Sequence, residues 1–171
     1  MSHDLRDLCN KLCRELAQAE QSAVVHPARE ARRLGNSPPG RALAAISEHA
    51  RSLRPELEVL CTRQAFGIRV GQLVGQAFSA LRTVLFDRLI DAERSYRGTL
   101  LGLRHGIDLA RLLREVALRR DQIGLIHFCD RLLVERTALI EDAQTALTWF
   151  AQEPASALRS GVRNVLQLAH R

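Results

Sequence analysis

The sequence predicts an all-α protein, and three observations carry that expectation. Apolar residues recur at steps of three and four along most of the chain, the spacing of one helix face. Leu, Ala, Arg and Glu dominate while aromatic residues make up only 4%, a composition of good helix formers. Gly and Pro are few and β-branched residues scarce. With 171 residues, 46% of them apolar, the chain is long enough for one domain with a substantial core.

The first helix starts at Asp4, which can cap it. Leu5, Cys9, Leu12, Leu16, Ala19 and Ala23, and later Leu34, form its inner stripe, and Glu20 falls on that stripe four residues after Leu16. Pro27 predicts a kink, because it has no N–H to donate to the Ala23 carbonyl. Arg29, Arg32 and Arg33 suit the negative end of the helix dipole. The run Gly35-Asn36-Ser37-Pro38-Pro39-Gly40 then turns the chain. A second helix runs from about Arg41 to Gln64 with the stripe Leu43, Ile46, Ala50, Leu53, Leu57 and Leu60, and His49 flanks it. Pro55 predicts a kink or break near Arg54. The short turn makes residues 1–65 an antiparallel hairpin.

Residues 66–86 keep a helical period and read as the crossover to a second hairpin, 87–152. Its first helix, Asp87 to Ala117, is the longest apolar stripe in the chain: Leu89, Ala92, Tyr96, Leu100, Leu103, Ile107, Ala110, Leu113 and Ala117. Glu93 stands at the edge of this stripe, where an unpaired buried carboxylate would cost several kcal/mol. Gly98, Gly102 and Gly106 recur every four residues, which predicts close packing of a neighbour or a local break near Gly106. Asp121 is placed to cap the last long helix, Gln122 to Ala151. Ile126, Cys129, Leu133 and Ile140 line one side of it, and Phe128, Leu132, Glu135 and Leu139 the next. Glu153-Pro154 ends that helix. Residues 153–171 read as a basic amphipathic tail helix that docks on its own bundle or on a second subunit.

No run approaches the roughly 20 apolar residues of a membrane span, and MSHDLRDLCNK lacks the apolar core of a signal peptide. A cytoplasmic protein without membrane attachment is expected. The net charge is +6, and Lys11 is the only lysine. Arginine suits phosphate and carboxylate partners, so Arg29, Arg32, Arg33, Arg119 and Arg120 are candidates for nucleic-acid contact. Charges of both signs are interleaved, however, and one Trp and one Tyr leave little surface for base stacking. Cys9, Cys13, Cys61 and Cys129 show no CxxC or zinc-finger spacing and read as small buried hydrophobes in a reducing compartment. There is no phosphate loop and no nucleophile elbow, so an enzyme is not the favoured reading.

Two helical hairpins and a long crossover are the plan of ferritin-like bundles, whose metal ligands are one Glu from each of two helices and a Glu-x-x-His from each of the others. AQAEQSAVVHPA, AISEHARSLRPELEVL, DAERSYRGTLLGL and DRLLVERTALIEDA resemble the four ligand helices of the ferritin-like superfamily, in the sense of the rubrerythrins and bacterial stress-related ferritin-like proteins. The resemblance covers residues 4–152 and is one of pattern and spacing. It implies a ferritin-like four-helix bundle with a short C-terminal helix, and the metal-ligand candidates Glu20, His49, Glu93 and Glu135, with Glu48 as a substitute. Two of six expected ligands are missing: Ile46 stands in the Glu position of the second helix and Ala138 in the His position of the fourth. The favoured expectation is therefore a bundle without a complete di-iron site, acting as a structural or protein-interaction module and forming homo-oligomers or binding a protein partner. The alternatives are a stress-related oxidoreductase holding one Fe, Mn or Zn ion, and Arg-mediated nucleic-acid binding. If no metal binds, Arg94, Arg97 and Arg136 are the neighbours that would neutralise the acids.

Overall fold

The computed structural model describes residues 3–64 and 91–159. Every element in those residues is an α-helix: α1 His3–Leu34, α2 Pro38–Gln64, α3 Ala92–Leu118, α4 Ile123–Thr145, and the short α5 Thr148–Gln152 and α6 Pro154–Ala157. The four long helices pack in the cyclic order α1, α2, α4, α3. Neighbours run antiparallel. Ser47 meets Val24 and Cys61 meets Cys13 between α1 and α2. His49 meets Arg136 and Glu56 meets Arg131 between α2 and α4. Arg114 meets Asp130 and Tyr96 meets Ala143 between α3 and α4. The end of α2 and the start of α3 therefore lie at opposite ends of the assembly. The predicted crossover, 66–86, falls outside the described residues, as do 87–90 and most of the tail helix.

The core is the sum of the apolar stripes. Leu16, Leu43, Ile46, Leu57, Tyr96, Leu113, Leu125, Phe128 and Leu132 are all at most 1% exposed. Burying a Leu or Phe side chain contributes roughly 1.5–3 kcal/mol relative to leaving it in water.

The turn between α1 and α2 follows from its residues. Gly35 takes a left-handed φ of 62° and its N–H closes the helix onto the Ala31 carbonyl, the usual glycine helix stop. Ser37 is the N-cap of α2: its Oγ accepts from the Gly40 N–H at 3.2 Å. Helix α2 thus starts at Pro38 rather than near Arg41, with Pro38 and Pro39 in the first turn, where a missing N–H does no harm. Gly40 is held by close approach, since a Cβ there would lie 2.2 Å from the Gly35 carbonyl oxygen. Gly40→Ala should cost about 1–3 kcal/mol through the forced shift of the turn. A thermal melt checks it, and an unchanged midpoint would show the turn to be slack.

Helices α1 and α2 run on through Pro27 and Pro55, so no break occurs near Arg54. Near Pro27 the ladder is helped from outside: Ser47 Oγ donates to the Val24 carbonyl at 2.7 Å, beside the Ala23 carbonyl that Pro27 cannot serve. Asp121 does not cap α4. It takes a left-handed φ of 53° and ends the turn after α3, while Gln122 is the N-cap residue without a side-chain cap. Helix α4 ends at Thr145 rather than Ala151, and α5 follows as a separate short helix.

Gly106 does lie at a close approach, its would-be Cβ 3.8 Å from Ala19 Cβ, whereas Gly98 and Gly102 face open space. Here α1 and α3 diverge around a cleft of about 490 Å³, bordered by His26, Arg29, Glu30, Arg94, Ser95 and Thr99 among others.

Candidate functional site

The polar centre of the assembly is built on Arg136. It sits on the buried face of α4, in the row Leu125, Phe128, Leu132, Arg136, Ile140, Ala143, and is 2% exposed. Glu20 of α1 is equally buried at 1%. The two form a forked pair, Nη1 to Oε1 at 3.2 Å and Nη2 to Oε2 at 2.8 Å. The planar guanidinium matches the carboxylate at two points, which a lysine could not do.

The third bond from Arg136 sets the state of His49. Its Nε–H donates to His49 Nδ1 at 2.9 Å, so Nδ1 is an acceptor and carries no proton. The proton of the neutral ring then lies on Nε2, which donates to Glu135 Oε2 at 2.8 Å. This tautomer is assigned from the hydrogen-bond partners. A continuous chain of contacts results, from the half-exposed Glu135 through the largely buried His49 to Arg136 and Glu20. Three helices contribute to it, and Ile46 and Ser47 of α2 are buried as well.

Of the candidate ligands, the structure brings together Glu20, His49 and Glu135, with a guanidinium between them. Glu93 lies apart in the first turn of α3 and is bonded through both oxygens to Arg97. Glu48 points to the surface, paired with Arg51. Among the described residues, no group of three or more His, Cys, Asp or Glu side chains is arranged to hold a metal ion. Chemically, the positive charge beside Glu20 comes from the chain itself.

The basic residues considered for nucleic acid do not form one stripe. Arg33 is largely buried and engaged with Glu30 and the Arg159 carbonyl, and Arg32 donates to the Ala28 carbonyl of its own helix. Arg120 lies at the far end of α1, beside Cys9. The twenty helical steps from Cys9 to Arg29 span about 30 Å at 1.5 Å per residue.

A second polar cluster was not visible in the sequence. All four cysteines gather near the Cys9 end of the assembly. The Cys13 thiol lies close enough to those of Cys9, Cys61 and Cys129 for each to influence its ionisation. Cys61 Sγ also donates to the Cys13 carbonyl at 3.6 Å. Cys9, Cys13 and Cys129 are buried, and Cys61 is partly exposed. The neighbouring Cys61 side chain, which favours the protonated form, and burial push the Cys13 thiol up to about 12, and burial with the nearby Asp130 carboxylate pushes Cys129 up to about 12. Cys9 is raised as well, chiefly by its hydrogen bond with Cys13.

These shifts predict alkaline sensitivity. Thiols raised from an ordinary value of 9.0 to about 12 are held protonated by the fold. Their contribution is intact below pH 9 and is lost as pH rises from 9 toward 12, because the unfolded chain gives up the protons first. From pH 8 to pH 10 the loss should be about 1.4 kcal/mol for each of the two thiols. Urea unfolding of the native chain and of Cys13→Ala/Cys129→Ala at both pH values checks it. The variant should lose less stability on going to pH 10, and an equal loss would contradict the assignment.

No family model, curated protein or solved structure matches the chain.

Proposed function

We propose that this chain is a ferritin-like four-helix bundle whose centre is closed by an internal guanidinium, and that it works as a structural or protein-interaction module which self-associates. The observation that carries this reading is the forked Arg136–Glu20 pair, 2% exposed on both sides. In a metal-handling bundle an inward carboxylate at this position neutralises an ion. Here Arg136 takes that role and also occupies the lone pair of His49 Nδ1. Paired antiparallel neighbours in cyclic order support the bundle assignment.

An interaction role is supported by apolar side chains that the described helices leave uncovered. Ile123 and Val134 on α4 are 59% and 74% exposed, and Val59 on the adjoining helix α2 is 51% exposed. Exposed apolar side chains on neighbouring helices are the kind of surface that association covers.

Sedimentation velocity over a range of concentrations tests the proposal. A dimer or larger assembly is expected, and Val134→Glu should shift it toward monomer. A monomer at every concentration would overturn the self-association. Oxidation of added ferrous iron, sensitive to Glu20→Gln, would overturn the closed centre.

A further inference from the structure

The cleft between α1 and α3 lies apart from the centre built on Arg136. Its volume of about 490 Å³ falls in the range of small-ligand sites, and its two ends differ. Arg29, near the close of α1, and Arg94, in the first turn of α3, border one end together with Ser95. The buried Ala23 and Leu103 give it an apolar lining. Further along, Gly98 and Gly102 face open space, and Gly106 closes on Ala19.

Two side chains at the charged end point to an occupant. Ser95 is 9% exposed, yet its hydroxyl has no hydrogen-bond partner among the described residues. The nearby Thr99 hydroxyl donates to the Ser95 main-chain carbonyl, at 3.1 Å, and not to its side chain. A hydroxyl so far buried is costly to leave without a partner. Arg94 likewise has no ion pair or hydrogen bond from its side chain among the described residues. The one carboxylate bordering the cleft, Glu30, is buried and already carries Arg33 at 3.5 Å. The charge offered to an occupant is therefore positive.

We propose that the cleft binds a medium-chain monocarboxylate. Its head group sits on Arg94 and Ser95, and its hydrocarbon body lies along Ala23, Leu103 and the two open glycines. A guanidinium meets a carboxylate through two parallel N–H donors, and the Ser95 hydroxyl supplies a third. The body removes apolar lining from water. From Arg94 to Gly102 the cleft follows eight helical steps, about 12 Å at 1.5 Å per residue, which is room for an extended chain and far more than a compact inorganic anion fills.

Isothermal titration calorimetry of the full chain with octanoate tests this, with octan-1-ol and inorganic phosphate as the two half-ligands. One octanoate should bind per chain, at least about tenfold more tightly than either half-ligand. Arg94→Gln should weaken octanoate at least about tenfold, the lower end of what a hydrogen bond to a charged group contributes, and Ser95→Ala about three- to tenfold. Gly102→Leu should fill the cleft and abolish binding. A Cβ there meets nothing within 4 Å, so this variant should melt no lower than the native chain by circular dichroism. Absence of octanoate binding, octan-1-ol or phosphate bound as tightly as octanoate, or binding indifferent to Arg94→Gln or to Gly102→Leu would each overturn the proposal.

Discussion

Arg136→Met should destabilise the protein by about 3–5 kcal/mol, because it strands the Glu20 carboxylate in the core without its counter-charge. The size follows from the burial of both partners, each 2% exposed at the side chain. Water cannot replace the guanidinium there, and His49 Nδ1 loses its donor in the same step. The single substitution therefore leaves two buried acceptors unsatisfied. Replacing both partners tells a different story. Glu20→Leu/Arg136→Met removes the charge on each side and should recover most of the loss, since well-packed apolar residues often match or exceed a buried ion pair. Urea unfolding of the two singles and the double gives the coupling directly. A loss below about 1 kcal/mol for Arg136→Met would place the pair in solvent-like surroundings.

Tyr96→Ala is expected to cost about 3–5 kcal/mol, the range for deleting a large buried aromatic. Tyr96 is fully buried and its ring packs edge-on against Phe150, with centroids 5.3 Å apart. It thereby ties α3 to the short helix α5. Its hydroxyl donates to the Ala143 carbonyl at 2.7 Å, one of the carbonyls that the end of α4 leaves without a helical partner. Burial also raises the phenol well above its ordinary value, so it stays a donor at any working pH. Tyr96→Phe keeps the ring and loses only this bond, which should cost about 1–2 kcal/mol. Thermal or urea unfolding separates the two. Equal losses would mean that the hydroxyl carries the whole effect.

The helices were legible in the sequence because their stripes are long and regular. Cys9, Leu12, Leu16 and Ala23 in α1, and Tyr96 through Ala117 in α3, are buried as their spacing predicts. Turn chemistry was legible at Gly35, whose left-handed φ needs a residue without Cβ. Helix ends were less so. Pro38 and Pro39 read as turn residues, although Ser37 caps them into the first turn of α2. Asp121 has the composition of an N-cap but serves as the left-handed residue after α3.

The centre was half legible. Glu20 and His49 stand where the stripes of α1 and α2 place them. The row Phe128, Leu132, Glu135 and Leu139 predicts an inward Glu135, yet it is the half-exposed end of the chain of contacts. The miss is one of phase: the inner row of α4 runs through Leu132, Arg136 and Ile140. An Arg flanked by apolar residues at i−4 and i+4 is the sign that marks it. Glu93 is amphipathic in position, at a helix start where Arg97 one turn on can reach it, and spacing alone cannot separate that edge from the core. The thiol cluster was invisible because Cys61 and Cys129 meet Cys13 only through tertiary packing.

The Arg136 guanidinium stands at the centre and holds His49 in one tautomer. Nitrogen-15 NMR of the histidine-labelled protein reads this most directly. The His49 ring should show its proton on Nε2 and an accepting Nδ1, and Arg136→Met should change the Nδ1 signal. A proton on Nδ1 in the native chain, or a ring indifferent to Arg136, would contradict it.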